Sequence, residues 1–147
     1  MADPTDRRCK TSCTSTPEYY ADDLNKVCVQ HCPAPYFRNN QTYRCTEDCT
    51  TTPLMFRYYE TRECVFNCHH PFFAYAPNRT CLAGCPTGYF AQQSTRSCVQ
   101  ICDAPYFADD STNRCVDVCP STPDYYGHLK ICRPDCPNNF YRDNSTR

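Results

Sequence analysis

Apolar residues recur along the chain in short groups that polar segments separate. The largest are aromatic doublets, and in most of them the second aromatic stands eight residues before a cysteine. No apolar period of 3.6 residues is present, and Pro, Thr, Asn and Asp fill the connections, so the pattern predicts short strands rather than helices. The doublets are Tyr19-Tyr20, Tyr36-Phe37, Phe72-Phe73, Tyr89-Phe90, Tyr106-Phe107, Tyr125-Tyr126 and Phe140-Tyr141, with Met55-Phe56 in the same slot.

The cysteines follow the same spacing. They form eight C-x3-C pairs at 9/13, 28/32, 45/49, 64/68, 81/85, 98/102, 115/119 and 132/136, with a period of 17 or 19 residues. Self-similarity at a fixed period is the signature of a repeat architecture. Residues 1–147 are therefore interpreted as a single tandem array of about eight Cys-rich units of 17–19 residues.

Each unit is predicted to be a two-armed β-finger, with one arm around the doublet and one before the next cysteine. Loops between cysteine pairs differ by two residues, and changes in twos keep each side chain on its own face of a strand. The finger tips are expected at "RNNQ", "YAPN", "AQQS" and "ADDS", which have turn composition. We expect an all-β, disulfide-rich fold in which the fingers stack into an elongated rod or solenoid with little conventional core.

The two ends of the sequence fall within a unit. The opening "ADPTDRRC" aligns with "ADDSTNRC", and the closing "NSTR" matches the "QSTR" that stands two residues before Cys98. The expectation is that the chain begins and ends mid-unit, as a fragment of a longer array or as a building block that a neighbouring copy completes.

Two disulfide patterns fit the cysteine spacing. A finger closed at its base joins Cys13 to Cys28, Cys32 to Cys45, Cys49 to Cys64, Cys68 to Cys81, Cys85 to Cys98, Cys102 to Cys115 and Cys119 to Cys132. This pattern leaves Cys9 and Cys136 for bonds to another unit or subunit, as a cut array predicts. The competing pattern joins Cys9 to Cys28 and Cys13 to Cys32, repeats in blocks and uses all sixteen cysteines. Connectivity cannot be deduced from sequence alone, so both stay open.

The phrase "RCxxxCPxxYFxxxxxxRC" resembles the furin-like cysteine-rich repeats of growth-factor-receptor ectodomains and the cysteine-rich repeats of protist surface proteins. In the receptors, one disulfide closes a C-P-x-x-Y-Y/F finger. The resemblance covers nearly the whole chain and implies a rod of stacked disulfide modules with no particular ligand. This sequence is more regular than the receptors, which favours a structural array.

The composition indicates the cellular compartment of the protein and excludes several classes of protein. Sixteen cysteines in 147 residues and a mean hydropathy of −0.72 indicate that disulfides replace much of the missing aliphatic core. Disulfides at this density persist in oxidising surroundings, so the protein is expected to be extracellular, secreted or on a cell surface. No apolar run reaches the roughly 20 residues of a membrane span, and the net charge of −1 gives no preference for nucleic acid.

The sequence offers little for catalysis or metal binding. Zinc sites use C-x2-C spacing, only four histidines are present, and eight equivalent pairs indicate scaffold rather than a redox dithiol. No nucleophilic triad or phosphate-binding Gly loop is found. We therefore expect no enzyme activity and no cofactor, apart from covalent N- and O-glycans.

Three further features recur in the units. The aromatic doublets are predicted to form a ladder in which one unit packs on the next, with an exposed binding platform as the alternative. Basic residues before the cysteines could line up as a cationic stripe or pair with Asp22, Asp109 and Asp110. They are Arg8, Lys26, Arg44, Arg62, Arg79, Arg96, Arg114 and Lys130. Sequons at Asn40, Asn78 and Asn144 predict N-glycosylation.

Together these features predict an extracellular structural repeat protein, part of a fibre, surface coat or appendage. Its expected partners are further copies of itself or continuing repeats of the same chain. The alternative is a receptor or adhesin ectodomain that binds a protein or glycan. Such a binder should have a finger that breaks the pattern with an exposed apolar patch; "TTTPLMFRYYETREC" is the nearest candidate.

Overall fold

The computed structural model describes residues 11–13, 18–49, 54–121 and 126–141. In these residues the fold is all-β, as predicted, with fourteen strands of three residues each and one 3₁₀ turn, Ala76–Asn78. The strands are β1 (Tyr20–Asp22), β2 (Val27–Val29), β3 (Phe37–Asn39), β4 (Arg44–Thr46), β5 (Phe56–Tyr58), β6 (Glu63–Val65), β7 (Phe73–Tyr75), β8 (Thr80–Leu82), β9 (Phe90–Gln92), β10 (Ser97–Val99), β11 (Phe107–Asp109), β12 (Arg114–Val116), β13 (Tyr126–His128) and β14 (Ile131–Arg133).

Seven disulfides define seven repeats. We number the repeats 1 to 7 by their bonds, Cys13–Cys28, Cys32–Cys45, Cys49–Cys64, Cys68–Cys81, Cys85–Cys98, Cys102–Cys115 and Cys119–Cys132. These are the seven bonds of the pattern in which each finger is closed at its base. The pattern that joins Cys13 to Cys32 is therefore wrong. Cys9 lies outside the described residues, and Cys136 is a free thiol.

The described residues form two compact units. The first holds residues up to Cys68 together with Pro77–Cys81, and its strand order is β8-β5-β6-β3-β4-β1-β2. The second holds His69–Ala76 and the residues from Leu82 onward, with the order β13-β14-β11-β12-β9-β10-β7. In both units the strands of one repeat pair antiparallel, and the first strand of a repeat pairs parallel with the second strand of the next.

Each first strand begins at the second aromatic of a doublet, and each second strand has the repeat's closing cysteine at its centre. In repeat 6, Ala108 lies opposite Cys115, and in repeat 7, Gly127 lies opposite Cys132. The predicted arms are therefore confirmed. A tight turn precedes the doublet in several repeats, closed for example by the Tyr89 amide, which donates to the Pro86 carbonyl at 2.9 Å.

The predicted tips were placed about two residues too early. Arg38 and Asn39 of "RNNQ" lie in β3, and the turn covers residues 40–43. The strand extends to Asn39 because the side chain of this residue stabilises the turn that follows it. The Asn39 Oδ1 accepts hydrogen bonds from the amides of Gln41 and Thr42, which satisfies turn donors that the ladder does not reach.

Repeat 7 shows why loop lengths change in twos. In repeat 6, four residues separate Asp109 from its strand partner Arg114, whereas in repeat 7 two residues separate His128 from Ile131. Both hairpins keep the same pairing at the cysteine. Removing two residues from the turn therefore leaves each side chain on its original face.

Candidate functional site: the interface between successive repeats

The residue just before each second strand has a left-handed backbone conformation. It is Lys26, Tyr43, Arg62, Arg79, Arg96, Asn113 or Lys130, with φ between 51° and 64°. This conformation ends the turn and starts the return strand. None of these residues is glycine, so the side chain at this position remains available for contacts.

The carbonyl of this residue joins one repeat to the preceding one. In the first unit the amides of Ala21, Arg38 and Arg57 donate to the carbonyls of Tyr43, Arg62 and Arg79, each at 2.8 Å. In the second unit the amides of Ala74, Ala91 and Ala108 donate to the carbonyls of Arg96, Asn113 and Lys130 at 2.7–2.8 Å. One backbone hydrogen bond of constant geometry therefore marks each of these six repeat-to-repeat contacts.

The apolar part of the interface combines an aromatic ring with a disulfide. Phe37 shares a buried cluster with Met55 and with Cys49 and Cys64, which form the disulfide of the next repeat. Phe73 does the same with Cys85 and Cys98, and the ring of Tyr89 packs against that cluster. The Phe90 cluster contains Cys102, with Tyr106 and Cys115 at its edge.

The predicted aromatic ladder is therefore interleaved with disulfides. In these clusters the second aromatic of one repeat meets the first apolar residue of the next doublet, and a sulfur bridge lies in the same cluster. Tyr20, Phe37, Phe56, Phe73, Phe90 and Tyr126 are buried, while Tyr19, Tyr36, Phe72, Tyr89, Tyr106 and Phe107 are half-buried.

The doublet after the last disulfide differs from the others. Phe140 is 57% exposed and Tyr141 is 92% exposed, so neither has the burial expected of a ladder position. Phe140 makes an edge contact with His128 at 4.4 Å between ring centroids. No described repeat follows this doublet to cover it. Tyr125 lies outside the described residues.

Several of the recurring basic residues hold successive repeats together. The Arg62 guanidinium donates from Nη2 to the Tyr36 carbonyl at 2.8 Å and lies 5.9 Å from the centre of the Phe37 ring. Arg96 repeats this arrangement on the Phe72 carbonyl, at 2.9 Å, and on the Phe73 ring, at 5.8 Å. These side chains therefore contact the preceding repeat instead of contributing to an exposed cationic stripe.

Lys130 and Arg44 also reach the preceding repeat. The Lys130 Nζ donates to the Cys102 carbonyl at 3.2 Å. Arg44 forms an ion pair with Asp23 across two neighbouring repeats. Basic residues therefore do pair with acidic neighbours, as Arg44 does with Asp23. The prediction that Asp22 and Asp109 are such partners was wrong.

Asp22 and Asp109 cap their own turns. The Asp22 Oδ1 accepts hydrogen bonds from the amides of Leu24 and Asn25, and Oδ2 accepts one from the Asn25 side chain. The side-chain hydrogen bond from Asn25 is the largest influence, and together with the amides it lowers the pKa of Asp22 despite burial. These bonds need a short acceptor at the strand end, and they hold the Asp22 carboxylate on its own turn.

Asp109 has the same role in repeat 6. Burial raises the pKa of this carboxyl, but hydrogen bonds from Ser111 and Thr112 outweigh burial and leave the pKa below 3.8. The Ser111 hydroxyl donates to Oδ1 and the Thr112 hydroxyl to Oδ2, both at 2.7 Å. The charged form of Asp109 is therefore the one that the folded turn stabilises.

Two of the three predicted glycosylation sites lie in the described residues. Asn40 and Asn78 are exposed, the first at a turn and the second at the end of the 3₁₀ turn. The Asn40 Oδ1 lies 2.6 Å from the hydroxyl of Tyr20, whose pKa burial raises to about 12. Asn144 lies outside the described residues.

Among the described residues no group of three or more His, Cys, Asp or Glu side chains could hold a metal ion. Nor does the described part of the chain contain a helix long and apolar enough to cross a membrane. The seven disulfides require an oxidising compartment for folding.

Sequence reasoning missed the left-handed residue and its carbonyl. A signal was present, because a long polar side chain stands two residues before most of the closing cysteines. The sequence could not show that this residue contacts the preceding repeat, since that depends on which strands become neighbours.

No protein-family model matches the chain, and no curated protein is similar to it in sequence. The resemblance to furin-like repeats therefore stays a prediction that only its short motif supports.

Proposed function

We propose that this chain is an extracellular structural repeat protein, a disulfide-linked array that forms part of a fibre, surface coat or appendage. The observation that supports this best is the uniform interface between repeats, in which the same backbone hydrogen bond recurs at 2.7–2.8 Å. In a repeat protein stability is approximately a sum of unit and nearest-neighbour terms, so a uniform interface suits indefinite extension.

The use of the large side chains supports the same proposal. Several aromatic and basic residues that could form a binding surface instead make contacts between repeats, as Phe73 and Arg96 do. Under this proposal Cys136 bonds to the first cysteine of a following repeat, in the same chain or in another copy. Its role would then match that of Cys119, which bonds to Cys132 in repeat 7.

We further propose that the array is a glycoprotein with N-glycans at Asn40 and Asn78. Both asparagines are exposed at turns. The contact of Asn40 with Tyr20 of the preceding repeat uses Oδ1, whereas an N-glycan is attached to Nδ2. The proposal includes no enzyme activity and no cofactor, and its partners are copies of the same repeat.

The structural role can be tested by electron microscopy of native, non-reduced protein that is isolated from the cell surface or from secreted material. The expected result is a fibre or layer with continuous repeats, in which Cys136 is bonded to a further repeat. Isolated particles, each bound to an unrelated protein, would contradict the structural role and favour an ectodomain.

A specific observation supports that second candidate, a receptor or adhesin ectodomain. The short turn of repeat 7 stands beside a cavity of about 230 Å³. Its apolar lining includes Phe90, Ile101, Leu129 and Ile131, and its polar lining consists of Gln100, Asp110 and Lys130. Ile101 and Leu129 are 70% and 79% exposed, so an apolar patch coincides with the repeat whose turn is shortened. Repeat 3, which contains "TTTPLMFRYYETREC", has a smaller exposed apolar surface formed by Leu54 and Tyr59.

A further inference from the structure

Two repeats carry an arginine immediately before the closing cysteine, in the same place in the fold. Arg44 lies opposite Ala21 of the preceding repeat, and Arg114 lies opposite Ala91 of its preceding repeat. The strand register is therefore identical, and any difference between the two arginines comes from their neighbours.

The neighbours differ in charge. Arg44 is neutralised by Asp23, the residue that follows β1. The residue in that position after β9 is Gln93, which carries no charge. Within the described part of the chain the Arg114 guanidinium forms no ion pair or hydrogen bond, and its side chain is exposed. One repeat interface therefore presents an unneutralised guanidinium at a position where another is paired.

Arg114 lines a cavity of about 330 Å³, together with Gln93, Tyr106 and Asp117. This volume is at the small end of ligand pockets, and suits one ring-sized unit. Gln92 forms a fixed part of the wall, because it is only 1% exposed and its amide is held on both sides. Its Nε2 donates to Asp103 and to the Ser94 hydroxyl, and its Oε1 accepts from the Asp103 amide at 3.1 Å.

The four side chains offer complementary chemistry. Guanidinium groups bind carboxylates through two parallel hydrogen bonds. Asp117 can accept hydrogen bonds from hydroxyl groups, because Oδ1 alone is used, by the Val118 amide. The Gln93 amide both donates and accepts. Tyr106 is half-buried, and its ring offers an apolar surface to C–H groups.

We propose that this cavity binds a hexuronic acid unit of an acidic polysaccharide. The sugar carboxylate binds Arg114, its hydroxyls bind Asp117 and Gln93, and the C–H face of its ring packs on Tyr106. A simple inorganic anion would use Arg114 but neither Asp117 nor Tyr106. The proposal goes beyond the structural role and does not depend on it, since a fibre and an ectodomain could both hold a matrix polysaccharide.

The test is isothermal titration calorimetry of the secreted, disulfide-intact chain. The probe is tetragalacturonate, an oligomer of hexuronic acid, and the matched control ligand is the neutral galactose tetrasaccharide of the same linkage. The expected result is binding of tetragalacturonate that is at least about tenfold tighter than that of the neutral sugar.

Variants assign the binding to Arg114. Arg114→Gln should weaken binding by about tenfold or more, while Arg44→Gln, in the same register, should leave it unchanged. Gln93→Asp is the sharpest variant, because it recreates the Arg–Asp pair that the first two repeats already contain. It should therefore keep the fold, as thermal unfolding will show, yet lose binding as Arg114→Gln does.

Several outcomes would overturn the proposal. They are no measurable binding of tetragalacturonate, equal binding of the neutral sugar, retention of affinity in Gln93→Asp, or equal losses in Arg44→Gln and Arg114→Gln. None of these bears on the structural role, which the microscopy tests separately.

Discussion

At the residue scale, the middle position of every first strand in the second unit is a small residue. This position is Ala91 in the Phe73 cluster and Ala108 in the Phe90 cluster. In repeat 7 it is Gly127, and a Cβ placed there would lie 2.5 Å from the nearest atom of the Phe107 ring. The ring of repeat 6 therefore uses space that only glycine leaves. In the first unit Arg38 and Arg57 occupy the same strand position, so a small residue throughout is a feature of the second unit.

Gly127→Ala should destabilise the protein by about 1–3 kcal/mol, because the added methyl group forces the Phe107 ring away from its contact. The change is measured as a shift in thermal unfolding of the oxidised protein. Gly84→Ala is the matched control, since no atom lies within 4 Å of the position of its Cβ. Equal effects of the two substitutions would show that the close approach of Phe107 does not limit stability.

The carboxylate that caps the turn gives stability a pH dependence. Because the pKa of Asp109 is lower in the folded chain than its ordinary 3.8, the carboxylate stabilises the fold above that pH. This contribution is lost as the pH falls through the folded-state pKa. Asp22 acts in the same direction.

Asp109→Asn should therefore flatten the decline in unfolding free energy between about pH 5 and pH 2, while changing stability near pH 7 by only about 1 kcal/mol. Asn39 shows that an amide can fill this role, because its Oδ1 accepts the corresponding turn amides. Denaturant unfolding at several pH values measures the effect. An unchanged acid dependence in the variant would contradict the assignment to Asp109.

At the scale of elements, each hairpin has a fixed register at its cysteine and a variable turn. Repeat 6 uses a four-residue turn and repeat 7 a two-residue turn, in which Leu129 and Lys130 both have positive φ. Among two-residue hairpin turns, type I′ requires positive φ at both positions, which Asn-Gly supplies most easily. The turn can therefore be replaced by another, as long as its length changes by an even number of residues and the side chains of the strands stay on their faces.

Replacing the turn residues 110–113 of repeat 6 by Asn-Gly should preserve the Cys102–Cys115 bond and the fold. Deleting a single turn residue should not, because it would move the side chains of β12 to the opposite face. Disulfide mapping by mass spectrometry and far-UV circular dichroism distinguish the two variants. Equal yields of native disulfides from both would contradict the parity argument.

At the scale of the whole molecule, the buried apolar residues form small separate clusters, each built around a disulfide. Closing a loop of this size contributes about 3 kcal/mol per bond in the chain-entropy account. Conformational entropy of three-residue strands and four-residue turns opposes folding at every repeat. We therefore expect that the chain cannot fold without its disulfides.

Reduction with a thiol reagent at neutral pH should abolish the β-sheet signal at 25 °C without added denaturant. Far-UV circular dichroism before and after reduction measures this, and reoxidation should restore the signal. A reduced and alkylated chain that keeps its sheet content would show that aromatic packing and hydrogen bonds are sufficient.

The sequence by itself determined what is local or periodic. Cysteine spacing and doublet position gave the two arms, the strand parity and the class of fold, because alternation in a strand and period in a repeat are visible in one dimension. The spacing also contained the correct disulfide pattern, as Cys102–Cys115 illustrates, but left a rival that only the structure eliminated.

Only the tertiary structure decided what each side chain contacts across a repeat boundary. The sequence could not tell whether Arg62 faces solvent or the Tyr36 carbonyl, or that Asp109 caps a turn while Asp23 pairs with Arg44. It also could not show that Arg114, in the register of Arg44, lacks an acidic partner within the described residues. These outcomes depend on a parallel pairing between strands of different repeats, and distances between such strands are set by packing, which no spacing along the chain records.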